Sequence, residues 1–438
     1  MVLTDMEDHS KKEILDVSLH GQFIGRLYSD NATLSFSYDQ RYLDNQNASK
    51  LSASFPLGDT VFDHKVTSAF FSGLLPEGNV RMRLAKYLGI SERNTFALLK
   101  DIGGECAGAV SVYPQGFSPK ADDEPTYLVL ENNEADAVLT SLDTRPLLVG
   151  EEDVRISGAG AQDKLMIAFV DGKIAVPTGN TPSTHIIKPP IKDLEETVHN
   201  EFFCMKLADA VGLRVPKVEI FWLKEKPYYL VERYDRKRDE SGTIRRLHQE
   251  DFCQAMRISP EIKYENEGGP SLEQCFALLD ERIGSGSMSG RNKLSLFHGV
   301  VFNFLIGNGD AHGKNFSILY EEREAESLSP FYDLMCTVVY SNAYKARMAM
   351  KLGGKYKFKD VAARHWEKLG SALGFRADFV RRQVLIMNDR IVEAAVRLSG
   401  ELNEKPETAS PIYEKITDVI NSNQAPMKNL KQLQHTDQ

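Results

Sequence analysis

The chain has 438 residues, of which 42% are apolar and 26% charged, an ordinary balance for a soluble globular protein and enough for two or three domains. Its five cysteines, Cys106, Cys204, Cys253, Cys275 and Cys336, include no C-x-x-C pair; this argues against a zinc ligand set or disulfide framework and fits a reducing compartment, with the thiols as small core residues. A net charge of −9 argues against direct wrapping of nucleic acid, which needs a basic face, while leaving room for DNA contact through a basic partner.

In chain order, MVLTDMEDHSKKEIL has neither the basic nor the apolar region of a secretory signal, and nowhere are there about 18 consecutive apolar residues to span a membrane. A cytoplasmic protein is expected. LDVSLHGQFIGRLY reads as a hairpin turning at HGQ, and TLSFSYD continues the alternation. From Ala69, AFFSGLLPEGNVRMRLAKYLG turns helical, followed by SERNTFALLKDIGG with Ser91 at its cap. EADAVLTSLD is a further helix. VRISGAGAQDKLMIAFV then predicts strand, loop and strand, DGK a turn, and STHIIKPP a short strand. TVHNEFFCMKLADAVGL predicts an amphipathic helix ending at Gly212, and VPKVEIFWLKEKPYYLVERYDR a hairpin turning at KEKP. Beyond about residue 248 helices dominate: EDFCQAMRI, LEQCFALLDERI, KLSLFHGVVFNFLIGN and the long run from KDVAARHW. FSILYEEREAESLSPFYDLM gives two short strands around an acidic turn. The polar C-terminus reads as a frayed tail.

Five features fall in a specific order. Ser157 to Lys164, SGAGAQDK, is a small-residue loop whose backbone N–H groups could approach phosphate, although it does not match Walker A and could be a plain hairpin turn. Lys188 sits on a strand about 24 positions later, where a kinase places the lysine that holds nucleotide phosphates; it could equally be a solvated strand end. Glu201, early in the next helix, could pair with Lys188 or simply favour the helix start. Asp310 to Asn315, in NGDAHGKN, is D-x-x-x-x-N, the separation found in kinase catalytic loops, though Asn, Gly and Asp also make turns unaided. There Asp310 would accept the proton of the attacking hydroxyl and Asn315 bind metal. His312 would flank the transferred phosphate, and Lys314 would neutralise its developing charge. Asp333, in SPFYDLM, would supply the second magnesium ligand. Each feature alone is weak; together, on these elements, they point to a two-lobed ATP-dependent phosphotransferase.

VRISGAGAQDKL, TPSTHIIKPP, LVERYDR, LIGNGDAHGKNFS and SPFYDL together resemble the HipA family of bacterial serine/threonine kinases, the toxins of toxin–antitoxin modules. FFSGLLPEGNVRMRLAKYLG and GGECAGAVSVYP resemble its N-terminal domain. The resemblance implies an α+β, kinase-like, two-lobed fold. It would have an N-terminal α/β module (1–120), a β-rich nucleotide-binding lobe (121–240), an all-helical catalytic lobe (241–425) and a flexible tail (426–438). It implies Mg²⁺ and ATP as cofactors. Ser157 would be the autophosphorylated serine whose modification ejects its loop and inactivates the kinase. Ala159, Gly160, Ala161, Gln162, Asp163 and Lys164 would form the nucleotide loop, and Lys188 would contact ATP. Glu232, Arg233 and Tyr234 would be a hinge reading adenine through backbone groups. Asp310 would be catalytic, with His312, Gly313, Lys314 and Asn315 as the phosphate and metal segment and Tyr332 with Asp333 as the metal end. The implied partners are a HipB-like helix-turn-helix antitoxin dimer, operator DNA mainly through that antitoxin, and a protein substrate such as glutamyl-tRNA synthetase.

There are departures. No DFG-type glycine follows Asp333, and residues 341–356 look shorter than in the family. The family's DNA-contacting positions do not map cleanly onto residues 364–382, so Arg376, Arg381 and Arg382 read as a solvated helix face. Two rival functions share parts of this pattern: a small-molecule kinase, and a non-catalytic scaffold that serves as corepressor.

Overall fold

The computed structural model describes residues 12–117, 125–321, 325–340 and 346–433, the last nine by backbone alone. Strands β1 (Glu13–Leu19), β2 (Gln22–Asp30) and β3 (Thr33–Tyr38) bury about every second side chain, as a sheet covered on one face does. The helical run expected from Ala69 is two helices. After the short α1 (Gln40–Leu43), α2 (His64–Gly73) and α3 (Gly78–Leu88) are separated at Pro76, which lacks the N–H needed to continue a helix. Helix α4 (Thr95–Ile102) starts later than expected: Asn94 rather than Ser91 caps it, accepting the Ala97 N–H at 3.0 Å. Strand β4 (Val110–Pro114) completes an antiparallel sheet of order β3-β2-β1-β4.

The second unit comprises β5 (Tyr127–Val129), α5 (Asn132–Ser141), β6 (Leu165–Val170), β7 (Lys173–Pro177), β8 (His185–Lys188), α6 (Thr197–Ala210), β9 (Val218–Leu223) and β10 (Lys226–Glu232), with six strands in the order β5-β7-β6-β8-β10-β9. The strand expected ahead of the glycine loop does not form. Ile156 makes only an isolated bridge to Glu105, so this segment docks on the N-terminal module and not on the sheet. Helix α6, expected to be amphipathic, has every residue from Thr197 to Met205 buried, because the sheet packs on one side and the helical lobe on the other.

A short ribbon, β11 (Arg236–Arg238) and β12 (Ile244–Arg246), leads into the large lobe. There EDFCQAMRI is not one helix. It opens in strand β13 (His248–Asp251) and becomes the single-turn helix α7 (Phe252–Ala255), with an Asp251–Gln254 capping box fixing the change. Helices α8 (Leu272–Gly284) and α9 (Arg291–Leu305) follow, then β14 (Ser317–Tyr320) and β15 (Glu326–Leu328), the two strands expected around the acidic turn. Strand β14 pairs with both β13 and β15, so the lobe read as all-helical carries a three-stranded sheet. Helices α10 (Ala363–Ala372), α11 (Ala377–Asn403) and α12 (Ile412–Leu433) complete it. Helix α12 includes 426–433, assigned from sequence to a tail, while 434–438 lie outside the described residues, as does 341–345 of the stretch expected to be short.

Two apolar cores hold these parts together. One joins the N-terminal sheet, through Leu15 and Phe36, to Leu165 and Ile167 of the second unit; the other fills the helical lobe and takes in α6 through Phe203. Along β10 the pleat sends Tyr228 and Leu230 into the first core and Tyr229 and Val231 into the second. The small sheet is thus buried on both faces, which gives its strand ends a rigid base.

Candidate active site

A cleft of 1170 Å³ lies where the three parts meet. One wall is the 157–164 loop. Gly160 has φ 105°, a backbone conformation that favours glycine, and a Cβ there would also displace the Lys164 ammonium, 2.6 Å away. Lys164 Nζ donates to the Ala159 carbonyl at 2.6 Å; burial, then the charge of Lys188, lowers its pKa to about 8. The loop is held mainly by the N-terminal module. Ser157 N–H donates to Glu105 O at 2.9 Å, and Glu77 N–H to Gly160 O at 3.0 Å. Arg83 pairs with Asp163 at 2.7 Å. The Ser157 side chain is fully buried, with its hydroxyl donating to Leu74 O at 2.6 Å. Ala161 and Gln162 also line the cleft, and Gln162 donates to Pro189 O at 3.2 Å.

At the end of β8, Lys188 is buried and bonds Glu201 of α6 at 2.7 Å and also the carboxylate of Asp333. Burial pushes the Glu201 carboxyl up to about 7 against the pull of Lys188. Asp333 is also penalised by burial, yet Lys188 and then Lys164 hold it well below the usual carboxylate range. Asp333 has φ 57°, a left-handed backbone that is uncommon for a non-glycine residue and is found preferentially at functional sites.

The apolar helix α9 ends in NGDAHGKN. Asp310 N–H donates to Asn308 Oδ1 at 3.0 Å, and Asn315 Nδ2 reaches back to Asp310 O at 2.9 Å. The five-residue spacing therefore closes a loop on itself. The Asp310 carboxylate accepts the hydroxyl of Tyr264 and is about half exposed. Burial lowers the His312 pKa to about 4, so the ring is neutral at pH 7. At Gly313 any Cβ would overlap the Pro270 ring.

Lys314 departs from expectation. Its ammonium is buried 2.6 Å from Asp251 and 3.5 Å from Glu77, so its charge is taken up by two carboxylates where the sequence suggested a transferred phosphate. Tyr332 donates to Lys314 O at 2.7 Å and stacks on Tyr234 with ring centroids 5.7 Å apart.

At the hinge, Glu232 N–H donates to Lys217 O at 2.9 Å and Arg233 N–H to Thr184 O at 2.8 Å, so two of its three backbone N–H groups are committed to the sheet and its flank, while Tyr234 N–H and the backbone carbonyls are the groups that remain for adenine. The Arg233 side chain is buried on Asp235 (2.8 Å) and Glu105 (3.2 Å). Glu105 also takes Arg236 at 2.8 Å, Arg246 at 2.7 Å and Ser183 N–H at 3.0 Å. Burial opposes its charge, but these guanidinium groups hold its carboxyl well below the usual range. A carboxylate of the N-terminal module thus fixes the segment joining the lobes.

A HipA-like C-terminal domain model matches residues 156–398, and a HipA N-terminal domain model matches residues 15–113. The chain belongs to the HipA family. A Sinorhizobium fredii protein named "Putative kinase Y4mE" is 40% identical, covering 89% of this chain and 93% of its own length. The serine/threonine-protein kinase toxin HipA of Shewanella oneidensis is 30% identical, covering 86% of each chain. Among solved structures, the Shewanella oneidensis HipA, HipB and operator DNA complex contains a chain that superposes with a TM-score of 0.79 at 26% identity, covering 93% of this chain and 96% of that one. The fold is thus the two-lobed α+β kinase-like fold of HipA proteins.

Within this HipA fold, Lys164, Lys188, Glu201, Asp310, Asn315 and Asp333 line one cleft. Sequence reasoning missed Glu77, Glu105, Asp251 and Tyr264. Glu105 had a usable signal, an acid inside the small-residue run GGECAGAV. Tyr264 had none. Of the three arginines near 376, Arg376 and Arg382 are exposed, but Arg381 is mostly buried and pairs with Glu367 at 3.0 Å, so it does not belong to a solvated face.

Proposed function

We propose that this chain is a Mg-ATP-dependent serine/threonine protein kinase acting as the toxin of a toxin–antitoxin module. The observation that carries the reading is Lys188 held between Glu201 and Asp333 in the same cleft as Asp310 and Asn315. In this scheme Lys188 and the 157–164 loop hold the ATP phosphates, and Tyr234 supplies the remaining hinge N–H. Asp310 orients the target hydroxyl and takes its proton as the hydroxyl oxygen attacks the γ-phosphorus of ATP, the bond from that phosphorus to the β–γ bridging oxygen breaks, and ADP leaves. Asn315 and Asp333 fit a magnesium site. The Asn315 amide nitrogen is committed to Asp310 O, which leaves its oxygen as the ligand, and Mg²⁺ favours two such oxygens with phosphate completing its shell. Bound magnesium would neutralise phosphate charge. Phosphoryl transfer asks mainly for positioning and charge neutralisation, so these few groups suffice.

Autophosphorylation of Ser157 is the proposed regulation, and it requires the loop to move, since the side chain is fully buried here. Phosphate would add about −1.5 to −2 charge where the hydroxyl now meets the Leu74 carbonyl, so the modified loop must leave and ATP binding should be lost. The relative solved with HipB and operator DNA supports a HipB-like antitoxin partner and a corepressor role. A translation component of the glutamyl-tRNA synthetase type is the proposed substrate. A cytoplasmic site of action is part of the proposal; among the described residues no helix is long and apolar enough to cross a membrane.

The test is phosphoproteomic mass spectrometry of a lysate incubated with the protein and γ-labelled ATP. Wild type should label protein serines or threonines, and Asp310→Asn should reduce labelling by about 10²–10⁴-fold. Undiminished labelling by Asp310→Asn would remove Asp310 from the mechanism. Label on a small molecule alone would make the chain a small-molecule kinase.

A further inference from the structure

We infer that Tyr264 is the positioning residue for the catalytic carboxylate: its hydroxyl fixes one oxygen of Asp310 so that the other meets the incoming acceptor. This rests on the kinase reading of the cleft.

The backbone of Asp310 is tied on both sides, by Asn308 Oδ1 to its N–H and by Asn315 Nδ2 to its carbonyl. Its side chain is a different matter. About half exposed, the carboxylate would be free to rotate but for the hydrogen bond from Tyr264; His312 Nε2 is 3.9 Å away, beyond hydrogen-bonding distance.

Tyr264 is itself well anchored. Its carbonyl accepts the N–H groups of Glu267 and Gly269, each at 2.9 Å. Its ring stands edge-on to His312, with centroids 5.1 Å apart at 89°. The neighbouring Lys263 is tied to Glu77 of the N-terminal module at 2.7 Å, and Glu265 N–H donates to Ala349 O at 3.2 Å. A side chain packed on His312 and carried by a backbone tied down at its own carbonyl and at both neighbours is a suitable strut for a base that must be oriented before the acceptor arrives. Because Glu77 also faces Lys314, the strut and the catalytic loop share an anchor in the N-terminal module.

The experiment uses Tyr264→Phe, which removes the hydroxyl and keeps the ring on His312. Labelling of the full chain with γ-labelled ATP is followed as a function of ATP concentration, with MgATP affinity measured separately on the same proteins. The labelling rate at saturating ATP should fall about 10- to 100-fold, while the half-saturating ATP concentration, MgATP affinity and melting temperature stay within twofold or a few degrees of wild type. In the double variant with Asp310→Asn, loss of the hydroxyl should cost nothing further, since the two residues act as a unit. An unchanged rate, a faster rate, or a slower rate accompanied by equal loss of ATP affinity would overturn the assignment. So would additive losses in the double variant. Failure of the kinase reading itself looks different: wild type would not label, or Asp310→Asn would label normally.

Discussion

Two ion clusters border the cleft, and they treat their carboxylates differently. At the hinge, Glu105 and Asp235 are surrounded by Arg233, Arg236 and Arg246. Every carboxylate there has more than one guanidinium, and both carboxyls are held well below their ordinary range. In the cleft Lys188 bonds two carboxylates and Lys164 acts on both from nearby, yet Glu201 is pushed up to about 7 by burial. The first arrangement has its charges satisfied and is a fixed joint. The second sets two lysines against two carboxylates, and burial keeps one of those carboxylates close to neutral.

The largest expected effect breaks the fixed joint. Glu105→Ala leaves three arginines near one another with a carboxylate removed. Stripping one member from a buried ionic network typically costs about 3–5 kcal/mol. Urea or thermal unfolding should show that loss, and Glu105→Gln, which keeps hydrogen-bonding capacity, should lose less. If Glu105→Ala unfolds within 1 kcal/mol of wild type, the hinge cluster is not a joint and the contrast between the clusters fails.

The second prediction uses pH. Glu201 has a folded pKa of about 7 against about 4.3 for an unfolded glutamate. Between those values the folded state binds a proton that the unfolded state does not, so this group's contribution to stability falls as pH rises through 7. Glu105 has the reverse sign: its folded pKa is depressed, so its contribution is present above about 4.3 and is lost as pH falls below that value. Melting temperatures from pH 5 to 8 should therefore decline less in Glu201→Gln than in wild type, whereas Glu105→Gln should leave that slope unchanged and flatten only the limb below about pH 4.3. Equal slopes for wild type and Glu201→Gln would show that Glu201 does not hold a proton in the folded state.

These clusters also show what a single sequence reveals. The alternation of β1 to β3, the HIIK strand bearing Lys188, and the spacing of Asp310 and Asn315 were legible because each is local: a period of two, or one loop closing on itself. The pairing of Lys188 with Glu201 lies only 13 positions apart and follows from a strand leading into a helix. The pairs that anchor the N-terminal module are of another kind. Glu77 meets Lys263 across 186 positions, and Glu105 meets Arg246 across 141. Such pairing depends on tertiary placement and leaves no periodic trace. The same applies to Lys314, whose position in the motif suggests phosphate contact although Asp251, brought beside it by the unexpected strand β13, takes its charge. Helix α6 misled for a related reason: a helix buried on nearly all sides can still carry scattered polar residues when each finds a partner, as Asn200 does on the Cys336 carbonyl at 3.0 Å.

The smallest expected effect concerns the grip of the N-terminal module on the phosphate loop. Arg83 and Asp163 are both partly exposed, and a pair so screened by solvent contributes about 0.2–1 kcal/mol. Asp163→Asn, which leaves the Arg83 bonds to the Leu142 and Asp143 carbonyls in place, should barely move the melting temperature. Its consequence should appear in nucleotide binding, because Asp163 lies in the loop that would hold the phosphates and the backbone bonds from Glu77 and Glu105 keep only the other end in place. The half-saturating ATP concentration should rise severalfold with little change in the maximal labelling rate, since removing uniform binding raises KM without touching the transition state. Should the maximal rate collapse while ATP affinity holds, the Arg83 contact would have to act on Asp310 and not on the loop. The distinction between a fixed hinge and a loosely held phosphate loop would then have to be redrawn.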